Sequence, residues 1–460
     1  MGDKKCRPII IPLILILNKN KVEVLKILKI TLAGLFVIVA IGAGAAFFYL
    51  NSKQPQRSGE LNLKGLGQQV KVDFDKWAIP HIYAQNEKDA YYALGYLHAQ
   101  ERLFHMEILR RLAKGQLAEI LGPKLISTDT FFRTIRIQQF SEEYLKHQDQ
   151  TTPAYAATRS YLAGINQFII NGPTPVEFDI LGIPKTPYTL ADTISLAGYM
   201  AYSFAAGFKT DPVLSFVRSQ LGNKYLGDLD YNLAPKQPLK LLAGTQKSMQ
   251  QIAGLVADIE NKYSPVGFFE GSNAWVISGN KTRSGKPILA GDPHIAFSCP
   301  SVWYEAHLIT PDFELYGHYL SGTPSALLGL SRKTAWTLTM FQNDDVDFFL
   351  EKSNPANKDQ VWSEGKWVDL ISETQIIKVK GGEDVIIKVR RSKHGPIIND
   401  VVKGFAAKKE PIALTWGFYD FSNKILDVYY ELAHAENVFE AGAALRGLHA
   451  PGLNFVFCRC

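Results

Sequence analysis

One uncharged run near the N-terminus constrains the chain more than any other feature. The stretch ITLAGLFVIVAIGAGAAFFYL, Ile30 to Leu50, contains no charged side chain. As a helix that rises about 1.5 Å per residue, it spans the roughly 30 Å of a bilayer's hydrocarbon core. The basic residues before it predict a cytoplasmic N-terminus and an exported body. We favour a retained membrane anchor; a signal peptide cleaved near the small residues of AGAAF is the alternative.

Composition limits the remaining classes. The chain has 460 residues, of which 46% are hydrophobic and 20% charged, so it can bury a large core. The formal net charge of +6 lies partly in the first thirty residues, so the body is only mildly basic and nucleic-acid binding is not implied. Four cysteines at irregular spacing indicate neither a disulfide framework nor a zinc site.

Periodicity changes along the chain from helical to strand-like. QVKVDFDKWAIPHIYA alternates like a strand, and apolar spacing then predicts one helix from Glu87 to Leu121, stopped by Gly122 and Pro123. TPYTLADTISLAGYMAYSFAAG predicts a second, mostly buried helix. From Ser272 onward, AWVIS and KPILAG flank a turn, KTAWTLTM reads as a strand, and TQIIKVKGGEDVIIKVR predicts another hairpin. A helix-rich half followed by a strand-rich half indicates an α+β fold.

These changes predict six segments: residues 1–29, a basic cytoplasmic N-terminus; 30–50, a transmembrane or signal segment; 51–68, a linker; 69–240, a helix-rich region; 241–271, a spacer; and 272–460, the start of a strand-rich region.

Several catalytic motifs are absent or uninformative. The sequence lacks the G-x-S-x-G elbow of α/β-hydrolases. S-x-x-K occurs twice, as SGNK and SEGK, without the S-D-N or K-T-G partners of β-lactamases. No Walker loop, H-E-x-x-H or EF-hand pattern occurs.

The triplet Gly271-Ser272-Asn273 opens the predicted hairpin in mid-chain. A cut between Gly271 and Ser272 would give Ser272 a free α-amine beside its own hydroxyl. Such an amine titrates near 7.7 to 8.0, so a small decrease in its pKa leaves it neutral and able to accept the hydroxyl proton. One residue would then supply both nucleophile and base.

These residues resemble the precursors of the penicillin acylase family of N-terminal-nucleophile hydrolases. The similarity runs from about Gln69 to Phe457, and its most specific segments are ALGYLHAQERLFHMEILRRLAKGQLAEILG, EGSNAWVISGNKTRSGKPILAGDPH and AWTLTMFQNDDVDFF. It implies an exported precursor that cuts itself before the serine and loses a spacer. The product would be a heterodimer with an αββα sandwich that hydrolyses N-acyl amide bonds of small molecules through an acyl-enzyme.

The resemblance also implies individual roles. Ser272 matches the nucleophile, with its α-amine as the base, and Gly271 precedes the cleaved bond. His294 matches a histidine near the nucleophile that assists by hydrogen bonding. Met340 matches the residue whose backbone N–H contributes to the oxyanion hole, a role that does not depend on its side chain. Phe204 matches an aromatic residue at the mouth of the acyl pocket; an ordinary place in the helix core is the alternative.

A calcium site is the one metal site that the resemblance implies, and no organic cofactor is expected. Asp344 and Asp347 match carboxylate ligands, and the Val346 carbonyl matches a third ligand. Oxygen donors of these kinds suit a hard cation. A further carboxylate is expected near FKTDP, where Asp211 stands beside the aligned Thr210.

The sequence departs from the family at its end. After GLNFV the family continues with a Tyr-Ala-Asp-like strand and some hundreds of residues, whereas this sequence reads GLNFVFCRC. The absent part would contain the Asn that supplies the second oxyanion donor, so an incomplete sandwich is expected. Two alternatives to an active acylase precursor therefore stay open: an inactive truncated relative, and a membrane-tethered binding domain in which Ser272 is structural.

Overall fold

The computed structural model describes residues 11–205, 269–295, 297–341, 345–399, 401 and 410–459. The chain divides into two compact units, Met1–Gln56 and Arg57–Cys460. Most of the predicted spacer, together with Thr210, Asp211 and Asp344, lies outside the described residues.

The first unit contains one long helix, α1, Ile11–Asn51. It begins well before the predicted Ile30, because the sequence between Leu13 and Ile30 contains no glycine or proline that would stop a helix. Pro12 occupies the first turn, where a missing N–H is tolerated. The segment Glu23–Ser52 is long and apolar enough to cross a membrane, a test that a signal sequence also passes.

The second unit begins with a strand pair where the sequence pattern predicted one strand. Strand β1, Lys71–Phe74, and β2, Pro80–Tyr83, are antiparallel. Asp75 breaks the run, since its Oδ1 accepts hydrogen bonds from the backbone N–H groups of Trp77 and Ile79. The alternation of polar and apolar residues continues through this turn, so the sequence pattern predicted one strand where there are two.

The predicted helix from Glu87 to Leu121 is two helices. Helix α2, Glu87–Lys114, starts at the Asn86 cap and ends at Gly115, whose φ of 64° is left-handed. Helix α3, Ala118–Leu121, follows after a short break. Gly115 takes the left-handed conformation at no steric cost because it has no Cβ. It therefore ends α2 although the apolar pattern continues beyond it. The later helices are α4, Ile126–Thr134; α5, Ile137–Tyr144; α6, Pro153–Asn171; α7, Val176–Leu181; α8, Leu190–Phe204; α9, Asp427–His434; and α10, Val438–Leu445.

Strands dominate the chain after residue 268, as predicted, and the mixed α+β class is confirmed. Both predicted hairpins and the strand KTAWTLTM are present. The strands are β3, Phe269–Ile277; β4, Ile288–Ile295; β5, Trp303–Ile309; β6, Glu314–Leu320; β7, Ala326–Ser331; β8, Thr334–Met340; β9, Val346–Leu350; β10, Ser353–Asn354; β11, Asn357–Ser363; β12, Lys366–Asp369; β13, Ile371–Ile377; β14, Val385–Ser392; β15, Gly395–Pro396; β16, Ile412–Trp416; and β17, Leu453–Arg459.

A seven-stranded sheet in the order β1-β2-β5-β6-β7-β8-β17 organises the body. Its pairs are antiparallel except β2 with β5. Alternate residues along β5 and β6 are buried, as expected for a sheet covered on one side. Smaller sheets are formed by β3-β4, β9-β16, β10-β11-β12 and β13-β14-β15.

Helices cover one side of this sheet, which we call the helix face. The His98 ring of α2 contacts Tyr304 of β5 and Tyr319 of β6, and its Nδ1 lies 2.6 Å from the Tyr161 hydroxyl of α6. Burial of these large rings stabilises the packing of α2 and α6 against the sheet. The opposite side, the hairpin face, presents Tyr316, His318 and Thr337 toward β3-β4.

Candidate active site

The hairpin β3-β4 carries the predicted cleavage site in an extended backbone. Strand β3 runs without interruption through Gly271 and Ser272, and the antiparallel register places Gly271 opposite His294 and Ser272 opposite Pro293. A bulge between Phe269 and Gly271 shifts the register just before the Gly271–Ser272 bond. The structure thus brings Gly271, Ser272 and His294 together on one hairpin, and their catalytic roles stay predictions.

A close backbone approach fixes the hairpin on the seven-stranded sheet. A Cβ atom at Gly291 would lie 1.8 Å from Oγ1 of Thr337 in β8, so only glycine allows β4 to come this near. Because β3 is paired with β4, this contact also sets the distance between Ser272 and β8.

One hydrogen bond joins the predicted nucleophile to the predicted oxyanion donor. The backbone N–H of Met340, the last residue of β8, donates to Oγ of Ser272 at 3.0 Å. An N–H at this position stabilises negative charge on Oγ as its proton leaves. It also lies near the oxygen of any carbonyl that Oγ attacks, because both oxygens are then bonded to the same carbon. Met340 was selected by resemblance alone, and the structure places its amide against Ser272.

His294 is exposed beside the Gly271–Ser272 bond. Its Nδ1 lies 3.3 Å from the point that a Cβ of Gly271 would occupy. Its Nε2 lies 3.0 Å from Oδ2 of Asp292 and 3.2 Å from Nδ2 of Asn273. The charged carboxylate is the stronger partner, so it favours the tautomer with hydrogen on Nε2 and leaves the Nδ1 lone pair toward Gly271. Sequence reasoning did not select Asp292 or Asn273, although both lie in quoted motif segments.

Asn454, a third residue that the sequence analysis did not select, contacts the Met340 backbone. Asn454 of β17 donates from Nδ2 to Oγ1 of Thr339 at 3.1 Å and to the carbonyl oxygen of Met340 at 3.3 Å. Its place depends on the pairing of β17 with β8, which puts Asn454 opposite Thr339. In the sequence, the only signal for Asn454 is its place in the motif GLNFV. That motif does not show which strand β17 pairs with, so the contact with Met340 could not be predicted.

A small apolar cavity lies near this end of β8. It has a volume of about 30 Å³ and is lined by residues that include Met200 of α8, Leu327 of β7 and Tyr429 of α9. Pro451 also lines it, next to Gly452, whose carbonyl accepts the N–H of Phe341 at 3.3 Å. Phe204 is buried at the end of α8 and does not line this cavity. Its role at the mouth of an acyl pocket stays a prediction.

A larger open cleft of about 460 Å³ separates the hairpin from the hairpin face of the sheet. Its lining includes Leu289 of β4, His318 of β6, Leu330 of β7 and Trp336 of β8. Burial lowers the pKa of His318, an effect that the Glu305 carboxylate partly opposes. His318 is therefore harder to protonate than a free imidazole, and most side chains that line the cleft are apolar, with Lys286 among the rest.

The predicted calcium ligands are only partly described. Val346 is buried at the start of β9 and the adjacent Asp347 is exposed, while Asp344 and Asp211 lie outside the described residues. Within the described part of the chain, no three His, Cys, Asp or Glu side chains gather at one point. One carboxylate and one carbonyl fall short of the six to eight oxygens that calcium takes, so the calcium site stays a prediction.

Known proteins match most of this sequence. The family model described as penicillin amidase matches residues 69–459. The acyl-homoserine lactone acylase QuiP of Pseudomonas aeruginosa is 27% identical over 429 residues, which are 88% of this chain and 49% of that protein. The penicillin acylase 2 proenzyme of Pseudomonas sp. strain SE83 is 29% identical over 369 residues, covering 78% of this chain and 47% of the proenzyme.

Two penicillin G acylases also match. Penicillin G acylase of Escherichia coli is 25% identical over 391 residues, which are 72% of this chain and 46% of that enzyme. The solved thermostable penicillin G acylase of Alcaligenes faecalis superposes on 40% of this chain and 33% of its own, with a TM-score of 0.36 and 23% identity, too low to support an argument. The chain spans about half the length of the curated relatives that it matches.

Proposed function

The chain belongs to the penicillin amidase family, and from this premise we propose that it is an acylase precursor that cuts itself before Ser272. The resulting N-terminal serine would hydrolyse N-acyl amide bonds of small molecules through an acyl-enzyme. The hydrogen bond from the Met340 N–H to Ser272 Oγ carries this proposal, because it pairs a nucleophile with an electrostatic stabiliser at the expected bond.

The self-cleavage step is an acyl shift within residues 271 and 272. Oγ of Ser272 adds to the carbonyl carbon of Gly271, and its proton is transferred to the amide nitrogen of Ser272 as the C–N bond breaks. The ester that forms is hydrolysed by water, which leaves a carboxylate on Gly271 and a free amine and hydroxyl on Ser272. Nδ1 of His294, beside Gly271, is suited to relay the proton.

Substrate hydrolysis would then use the new N-terminus. The α-amine of Ser272 accepts the hydroxyl proton, Oγ attacks the acyl carbonyl, and the Met340 N–H stabilises the oxyanion. The amine product leaves with a proton, and water releases the acid. The named relatives act on acyl-homoserine lactones and penicillins, and we propose acylated amides of this general class as substrates.

Intact mass and N-terminal sequencing of the exported protein test this proposal. We expect a fragment that begins Ser-Asn-Ala-Trp, absent from a Ser272→Ala variant. Ser278→Ala is the matched control, since Ser278 follows the same strand and should leave cutting unchanged. Cleaved protein should then be assayed on N-acyl homoserine lactones and on penicillins. A folded wild-type chain that stays uncut under these conditions would refute the proposal that this chain cuts itself before Ser272.

We also propose that the mature body is exported and held at the membrane by α1, and that calcium binds near β9. The length and composition of Glu23–Ser52 support the anchor. Extraction of membranes at alkaline pH should leave the protein in the membrane fraction, whereas a cleaved signal would release it.

For calcium, Asp347 and the Val346 carbonyl supply oxygen ligands. Added calcium should raise the melting temperature, and Asp347→Asn should abolish the increase.

A further inference from the structure

Asn454 joins the edge strand β17 to the peptide whose N–H contacts the nucleophile. Its two hydrogen bonds go to Thr339 Oγ1 and to the Met340 carbonyl oxygen. These acceptors lie on either side of the Met340 N–H, which donates to Ser272 Oγ. The side chain is exposed, so burial does not explain an amide at this position.

We infer that Asn454 is a positioning residue that holds the Met340 N–H in line with Ser272 Oγ. This inference rests on the proposed function of Ser272. Met340 ends β8, and the Phe341 N–H just beyond it bonds the carbonyl of Gly452, so β17 also holds the backbone that follows the donor. A donor at a strand end is free to rotate unless its neighbours fix it, and a small misplacement of a catalytic group reduces the rate strongly.

The carboxamide is the chemical group that this position requires. It carries two N–H donors, and both acceptors here are oxygens. An aspartate has the same shape but no donor, and it would place a negative charge beside the Met340 carbonyl and close to the site of the oxyanion. Asn454→Asp should therefore be as harmful as Asn454→Ala, whereas Asn454→Gln keeps both donors on a longer stem and should restore part of the effect.

The rate of cutting before Ser272 tests this role. The full chain is expressed as wild type, Asn454→Ala, Asn454→Asp and Asn454→Gln, with Arg459→Ala as a control at the far, exposed end of β17. We expect Asn454→Ala and Asn454→Asp to cut about 10-fold more slowly, Asn454→Gln to recover part of the rate, and Arg459→Ala to match wild type. The melting temperature of each variant is measured in parallel.

A spectroscopic measurement separates positioning from strand stability. The chain has five methionines, so ¹⁵N-methionine labelling gives a short set of amide signals, with Met340 assigned from a Met340→Leu sample. The Met340 signal should move in Asn454→Ala and Asn454→Asp and stay in place in Arg459→Ala. A melting temperature that falls while the Met340 signal does not move would overturn the inference, as would unchanged cutting in Asn454→Ala. If wild type is never cut, the proposed function fails, and the Met340 signal still decides the role of Asn454.

Discussion

The two faces of the seven-stranded sheet differ in how completely they are covered. On the helix face, Tyr304, Leu308 and Tyr319 are at most 3% exposed beneath α2 and α6. The hairpin β3-β4 on the other side leaves Trp275 50% and Ile288 46% exposed. The covered face holds the fold together, whereas the open face carries Ser272, Met340 and Asn454. Substitutions on the first face should therefore change stability, and substitutions on the second should change chemistry first.

The largest effect should come from Gly164→Val on the helix face. A Cβ at Gly164 would lie 1.9 Å from the carbonyl oxygen of Tyr92 and 2.8 Å from the Tyr96 nitrogen, both backbone atoms of α2. The two helices would have to separate, so we expect a loss of about 4 kcal/mol or more in the free energy of unfolding. Ala163→Val, on the exposed side of the same helix, should cost about 0.5 kcal/mol. Similar denaturation midpoints for the two variants would show that α2 and α6 are not closely packed.

The same change on the open face should be milder. In Gly291→Val the new Cβ meets the side chain of Thr337, and the two-stranded hairpin can shift where a helix layer cannot. We expect about 1–3 kcal/mol in unfolding free energy, measured by denaturation. Cutting before Ser272 should slow by more than this loss of stability accounts for, because the shift moves Ser272 away from the Met340 N–H. Equal losses for Gly164→Val and Gly291→Val would remove the distinction between the faces.

Much of this organisation was predictable from local sequence, and what was missed has a physical cause. Apolar periodicity predicted both hairpins and the helical half, because burial of one side selects the period. The break at Gly115 was missed because the apolar pattern continues across a residue whose positive φ is invisible to periodicity. The resemblance supplied Ser272, His294 and Met340. Asn454 could not be found this way, since its contacts depend on how two strands far apart in sequence pair.

Trp275→Ala probes the exposed side of the hairpin. Trp275 is half exposed, so truncation removes only part of the area that a buried indole would lose, and we expect about 1 kcal/mol of destabilisation at most after relaxation of the open hairpin. Trp336, 1% exposed in β8, is the matched comparison, and Trp336→Ala should cost about 3–5 kcal/mol. Chemical denaturation of both variants measures the difference. A cost for Trp275→Ala close to that of Trp336→Ala would mean that the hairpin's outer side is covered in solution.

The smallest effect should be a pH dependence confined to the helix layer. Burial lowers the pKa of His434, but its hydrogen bond to Glu87, its backbone bond to Tyr430 and the nearby Glu87 charge together raise the pKa above its usual value. The stabilisation is therefore complete below the unfolded pKa of about 6.5 and is lost as pH rises through the higher folded value. Because both side chains are about 30% exposed, solvent screening limits the contribution to about 0.5 kcal/mol. Glu87→Gln should flatten this part of the curve of unfolding free energy against pH, while cutting before Ser272, on the opposite face, keeps its own pH profile. A change in the cutting profile of Glu87→Gln would show that the two faces are coupled.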